Sequence, residues 1–286
     1  MPLPYRLLNV FAEPGNPFSG NPLCVFEDGS PLSEGQLQGL ARQFNLSETT
    51  FVLGPTTGGH AAVRIFTTAS EMPFAGHPTL GTAHVVRDLW GLGDDLALSM
   101  PAGIVPVRAT GDEWTLTALT GTVERDLDSA ELARALGLQP SDLLPPAQQV
   151  SVGTSQVMAR ASSVEAVRRA RPDAAAMARY GSMGVRGGET LVYLWAETGD
   201  GELEARALIS DGVSISEDAA TGSACSNLGA WFAARSEMGE WTVRQGRQLG
   251  RPSTLRLSVG SCGTVRVGGL VREVGRGVVD LDRAGA

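Results

Sequence analysis

Three short polar stretches interrupt small-residue or apolar surroundings: NLSETTF at 45–51, PFAGHPT at 73–79 and SEDAATGSA at 216–224. Two of them fall at predicted helix starts, one marked by Pro78 at a first helical position and one by the small-residue turn before Ser223. A helix start carries unpaired N–H groups and the positive end of the helix dipole, so it can hold a small carboxylate without Arg or Lys. Gly76 and Gly222 would let such a ligand approach the backbone closely. The side chains able to do chemistry in these stretches are Glu48, His77, Asp218 and Ser223. Each also has an ordinary structural reading: Glu48 as a surface carboxylate after a helix, His77 as a helix cap, Asp218 and Ser223 as turn and N-cap residues.

The elements that must position them can be read from the pattern. Residues 5–11 (YRLLNVF) and 22–26 (PLCVF) read as strands around a Gly, Pro and Asn-rich turn. Ser33 and Gln36 form a capping box for a helix whose Leu37, Leu40, Ala41 and Phe44 share one face and which ends near Asn45. Residues 49–53 and 61–67, joined by GPTTGG, read as a hairpin with Glu48 at its mouth. From Gly76 or His77 to about Trp90 a helix is predicted, small or apolar on every side and therefore enclosed.

The second half repeats the plan. Asp128 and Glu131 cap a helix closing at Gly137, followed by a Val-rich strand near 150–160 and a helical stretch through 163–179. Strands at 190–196 and 203–209 then lead through SEDAATGSA into a second enclosed helix. A shift of 146 positions (222 − 76) lays Gly76 on Gly222 and Glu71 on Glu217; we read these two glutamates as structural. TLRLSV, TVRVGG and REVGRGVVDL alternate like an antiparallel meander. The duplication sets two lobes at 1–118 and 119–286, with the C-terminal segment able to cross back to the first lobe. GVRGGE (184–189) lacks the Lys and Ser/Thr of a phosphate loop and reads as a hairpin turn.

Composition narrows the function classes. The chain has 286 residues, 42% of them hydrophobic and 19% charged, as a folded globular protein does. Its net charge of −8, with no basic cluster, argues against nucleic acid as a partner. No run reaches the ~20 apolar residues of a membrane helix, and the first residues lack a secretory pattern, so a cytoplasmic protein is expected. Cys24, Cys225 and Cys262 form no CxxC pair and have no neighbouring His, so no metal site is expected and buried, reduced thiols are.

NPFSGNPLCVF, LARQFNLSETTFVL, VRIFTTASEMPFAGHPTLGTAH, SEDAATGSA and QGRQLGRPS followed by VRVGG occur in an order that resembles the PhzF-like phenazine-biosynthesis family over nearly the whole chain. That family shares the diaminopimelate epimerase fold. The resemblance implies an α+β architecture of two pseudo-symmetric lobes, each an open barrel-like, mostly antiparallel sheet around a central helix. It also implies an active site in a cleft where both central helices begin. It makes Glu48 the acid/base, sets His77 and Asp218 across the cleft, and has Gly76, Gly222 and Ser223 line the ligand site. A homodimer with no cofactor is the family expectation. Ala219 stands where the family most often has Pro, which implies a looser turn.

The chemistry of the residues agrees. Moving a proton between carbons needs one base that can return the proton, and an enclosed carboxyl suits this. His77 and Asp218 could then hold heteroatoms of a small anionic metabolite while charge develops. No metal, flavin or nicotinamide is required, so an isomerase of a small carboxylated metabolite is expected. A non-catalytic ligand-binding protein on the same fold is the alternative. A thiol-type amino-acid racemase is the second, disfavoured because AGHPT and ATGSA contain no Cys and Cys225 lies about one turn too late.

Overall fold

The computed structural model describes residues 2–180 and 189–281. GVRGGE, expected to be a turn, lies outside the described residues except for Glu189. The chain divides into two compact units, one running to Leu116 and resuming at Gly268, the other Thr117–Val267.

In the first unit the elements follow as β1 (Pro2–Ala12), β2 (Asn21–Phe26), α1 (Glu34–Phe44), β3 (Glu48–Thr56), β4 (Gly59–Phe66), β5 (Glu71–Met72), α2 (Gly76–Trp90), β6 (Asp95–Met100), β7 (Gly103–Thr110) and β8 (Glu113–Thr117). Strand β1 lies antiparallel to β2, β2 parallel to β3, β3 antiparallel to β4 and β4 parallel to β6. Antiparallel pairs β6–β7 and β7–β8 continue the sheet. The last strand of the chain, Val265–Asp280, pairs with both β8 and β1 and closes an eight-stranded barrel. Closure leaves these strands no open edge.

Helix α2 packs on β1, β2, β3 and β6 and buries every residue from Gly76 to Ala83, as its uniformly small and apolar sequence requires. Gly81 makes the approach possible, since a Cβ there would stand 2.4 Å from Leu23 Cδ2 and 3.0 Å from Val10 Cγ2. Helix α1 starts at the Ser33/Gln36 capping box and lays Leu37, Leu40 and Ala41 against Phe26, Phe51 and Phe66.

The second unit runs β9 (Thr122–Leu127), α3 (Ser129–Ala135), β10 (Leu143–Ser151), β11 (Ser155–Ala161), α4 (Val164–Arg169), α5 (Ala174–Ala178), β12 (Thr190–Gly199), β13 (Glu202–Ser210), β14 (Ile215–Asp218), α6 (Gly222–Ala233), β15 (Gly239–Gln245) and β16 (Ser253–Val259); the closing strand of the first unit is β17. From β10 to β16 the pairings are antiparallel, parallel, antiparallel, parallel and antiparallel, the same series as β1 to β7. Helix α6 starts at Gly222 as α2 starts at Gly76, so the expected duplication is present in the topology.

Three expectations about elements are corrected. The strand expected near 150–160 is the end of β10 and the start of β11, separated by a turn with Gly153 at φ 100°. The helical stretch at 163–179 is broken into α4 and α5, because Pro172 disfavours a helical conformation at the residue before it and Ala170, at φ −52° and ψ 131°, has already left the helix. Residues 265–280 form one strand, not two arms of a meander, and their long partner is β1.

The aligned glutamates are structural. Arg64 of β4 grips Glu71 through two hydrogen bonds of 2.7 and 2.5 Å, and Arg206 of β13 grips Glu217 through contacts of 2.8 to 3.2 Å. Among the described residues no helix is long and apolar enough to cross a membrane.

Candidate active site

Glu48 is placed by the end of α1. Asn45 caps that helix in the left-handed conformation (φ 51°), its N–H bonding to Ala41 O, which lets the chain reverse and enter β3 within three residues. Parallel pairing sets Glu48 beside Leu23 of β2, two residues from Asn21. Below it is His77, second residue of α2 and 5% exposed. Burial pushes the His77 pKa down to about 3, so the ring is neutral. Asn21 Nδ2 lies 3.5 Å from His77 Nδ1. With the amide donating to Nδ1, the ring proton sits on Nε2, the atom that faces Glu48 Oε2 at 3.4 Å. This is a contact between a neutral donor and a carboxyl oxygen, longer than the 2.7–3.2 Å of a formed hydrogen bond, and not an ion pair.

Around this pair the helix start is held by its own threonines. Thr79 Oγ1 donates to Ala75 O at 2.7 Å, Thr82 Oγ1 donates to Pro78 O at 2.7 Å, and Thr50 Oγ1 meets Thr82 Oγ1 at 2.8 Å. The N-cap residue, Ala75, has no polar side chain to cap the first turn, and that turn carries no acidic residue. A small anion is the natural complement of such an end.

The second unit builds a polar cluster at the start of α6 in the same manner. Asp218 ends β14, opposite Ala207 of β13, and its Oδ2 accepts the Thr221 hydroxyl at 2.7 Å. Gln245, the last residue of β15, donates from Nε2 to Asp218 O (2.9 Å) and to Thr221 Oγ1 (3.0 Å). Its Oε1 accepts from Tyr193 Oη (3.0 Å) and Thr221 N–H (3.3 Å). Gly246 follows at φ 75°, and a Cβ there would stand 2.3 Å from Arg251 O and 2.5 Å from Ala219 O. Ser223 Oγ accepts from Gln156 Nε2 at 3.1 Å, and Gln156 Oε1 in turn accepts from Asn227 Nδ2 at 2.9 Å. The Ser223 hydroxyl proton takes no part in that bond and is able to donate to a second acceptor.

Within the first unit the structure therefore brings Glu48, His77 and Gly76 together, and within the second Asp218, Gly222 and Ser223. Cys24 and Cys225 are fully buried, and burial pushes both thiols up, so neither is a ready nucleophile. Among the described residues no three His, Cys, Asp or Glu side chains converge as metal ligands do.

A family model described as phenazine biosynthesis-like protein, PhzC-PhzF, matches residues 8–277. The chain belongs to this family. It is 34% identical to a trans-2,3-dihydro-3-hydroxyanthranilate isomerase of Pseudomonas aeruginosa, with 88% of each chain covered. Among solved structures, a predicted epimerase of Pseudomonas aeruginosa superposes with a TM-score of 0.81 at 30% identity, covering 97% of this chain and 99% of that one. A probable proline racemase of Agrobacterium radiobacter, at 13% identity and a TM-score of 0.66 over 99% and 94% of the two chains, shares the fold alone. The fold is thus the diaminopimelate epimerase-like one expected from the motifs.

In this PhzC-PhzF member, sequence reasoning missed Asn21, Gln156, Thr221, Asn227 and Gln245. Their signal was present: each is a polar side chain, 8% exposed or less, inside an apolar strand or helix pattern or beside a glycine turn. A buried polar group demands partners, so such residues mark networks.

Proposed function

We propose that this chain is an isomerase that moves a proton between carbons of a small carboxylated metabolite, with Glu48 as the proton carrier and no cofactor. The observation that supports this most directly is the neutral, buried His77 presenting Nε2 to the inner oxygen of Glu48 at 3.4 Å. A carboxylate takes a proton from a C–H bond, the electron pair passes into the conjugated system of the substrate, and the resulting carboxylic acid returns the proton at a second carbon. His77 Nε2–H steadies the carboxylate between these steps or donates to a heteroatom of the substrate. Asp218 accepts from an N–H or O–H of the substrate, while Ser223 and the first-turn N–H groups of α6 receive its carboxylate. The relative named for trans-2,3-dihydro-3-hydroxyanthranilate makes that ring acid the first substrate to test.

The experiment is turnover in deuterated water, following product and solvent deuterium by NMR, for the parent and Glu48→Gln. The variant keeps size and polarity but cannot carry a proton. Turnover should fall at least ~10²-fold, with substrate affinity changing far less. A Glu48→Gln protein working within a few-fold of the parent would sink the proposal. Binding of the acid without any deuterium uptake by the parent would instead favour the non-catalytic reading.

A further inference from the structure

The cluster around Asp218 has hydrogen-bond directions that the backbone dictates. Thr221 N–H can only donate and Asp218 C=O can only accept, and neither can rotate to change that. Both bond to the side-chain amide of Gln245, so Oε1 must face Thr221 N–H and Nε2 must face Asp218 O. Tyr193 Oη, buried at the far side of Oε1, is thereby required to donate; burial raises its pKa well above the ordinary value and keeps that proton in place. The second N–H of Gln245 goes to Thr221 Oγ1. The Thr221 hydroxyl has then received one hydrogen bond, and its own proton points to Asp218 Oδ2 at 2.7 Å. Four partners thus run in one direction, from Tyr193 through Gln245 and Thr221 to Asp218, and the first three of these residues are 8% exposed or less.

We propose that Gln245 is a positioning residue for the reaction: through Thr221 it fixes which oxygen of Asp218 is occupied and how the carboxylate is turned when substrate arrives. The inference rests on the reading of Asp218 as a substrate-holding group. Gln245 does more than hold the loop by shape. Its amide is the one side chain of its size that supplies both two acceptor sites and two donors. Glutamate fits the same space and keeps the bonds to Tyr193 and Thr221 N–H, but has no N–H for Asp218 O or Thr221 Oγ1. The Thr221 hydroxyl is then free to donate to the new carboxylate, and its bond to Asp218 Oδ2 is lost. Gly246 secures the arrangement next door, because only a residue without Cβ lets the chain pass this close to Ala219 O.

The test compares Gln245→Glu, Thr221→Val and Thr221→Ser with the parent in crystal structures, melting temperature, KM and kcat for trans-2,3-dihydro-3-hydroxyanthranilate. In Gln245→Glu the contact between Thr221 Oγ1 and Asp218 Oδ2 should open beyond hydrogen-bond range. KM should rise about tenfold to a hundredfold in Gln245→Glu and in Thr221→Val, as expected for losing a hydrogen bond that orients a charged group. Thr221→Ser restores the hydroxyl and should return KM to within about threefold of the parent. A Gln245→Glu crystal structure with that contact intact overturns the inference, whatever the kinetics. So does a Thr221→Ser protein as impaired as Thr221→Val, which would mean a packing role only. Asp218→Asn separates the two levels: parent-like KM and kcat in that variant would overturn the role of Asp218 itself, while the geometry around Gln245 could still stand.

Discussion

Replacing Glu217 by Met, and separately Glu71 by Met, removes the same group from the two copies of the duplicated plan but from different surroundings. The side chains of Arg206 and Glu217 are only 8% and 9% exposed, and Arg206 Nη1 donates to Val167 O and Ala170 O at 3.1 and 2.9 Å. Taking Glu217 away leaves a guanidinium in the interior with no counter-charge, which costs about 3–5 kcal/mol. The side chains of Arg64 and Glu71 are 22% and 30% exposed, and Arg64 also reaches Glu34 at 3.2 Å, so water and a second carboxylate cover the loss. That change should cost about 0–1 kcal/mol. The difference corresponds to roughly two or three powers of ten in the unfolding equilibrium. Denaturant titrations of the parent and both variants, compared at equal slope, read it directly. Equal losses, or a larger one for Glu71→Met, would refute the claim that burial sets the worth of these pairs.

Three other outcomes are expected. Iodoacetamide at neutral pH should label one thiol per native chain, the exposed Cys262, and leave Cys24 and Cys225 untouched until unfolding; mass spectrometry finding native modification at Cys225 would contradict its burial. Gly246→Ala should cost about 1–3 kcal/mol, since it adds a left-handed strain to a Cβ clash with Ala219 O, and a melting temperature equal to the parent's would show the loop to be softer than drawn. His77 titrates near 6.5 when unfolded but only at about 3 in the native state, so on acidification the unfolded chain gains a proton that the native ring refuses. Its contribution is complete above pH 6.5 and is lost as pH falls toward 3, which makes the parent lose about 1.4 kcal/mol more per pH unit than His77→Gln between about pH 6 and 4; parallel stability curves would disprove it.

What the sequence made legible was whatever is decided locally. The Ser33/Gln36 box, the Asn45 stop and the starts of α2 and α6 are settled by residues within one turn of each other, and the structure has them where the pattern put them. The break at Pro172 is equally local: it separates Val164–Arg169 from Ala174–Ala178 within the stretch expected to be helical throughout. Strands β6 to β8 were not anticipated although their alternation is legible, as in EWTLT, where Trp114 and Leu116 are buried between more exposed neighbours; β9 lacks that signal, since none of its residues is fully buried. A crossing back of the C-terminal segment was open in the sequence, but the closure of the barrel joins residues far apart, such as Pro2 and Asp280, and no local signal encodes that register. At the site, the motifs pointed to the side chains that would meet substrate, while Asn21 and Gln245, which orient them, are separated from them by 56 and 27 positions and become visible only as hydrogen bonds.

The closing strand also has a consequence for synthesis. A ribosome delivers β1 well before β17, so the barrel that carries Glu48 and His77 lacks a stave until the chain has been made as far as Asp280. Strands β9 to β16 emerge earlier than that, which sets the second unit to mature before the first and reverses the usual order in which the leading domain folds. During the wait β1 and β8 remain open edges that can pair with other nascent chains. A premature stop after Val267 would spare every residue of the second unit, yet its damage would fall at the opposite end of the message, on the unit translated first.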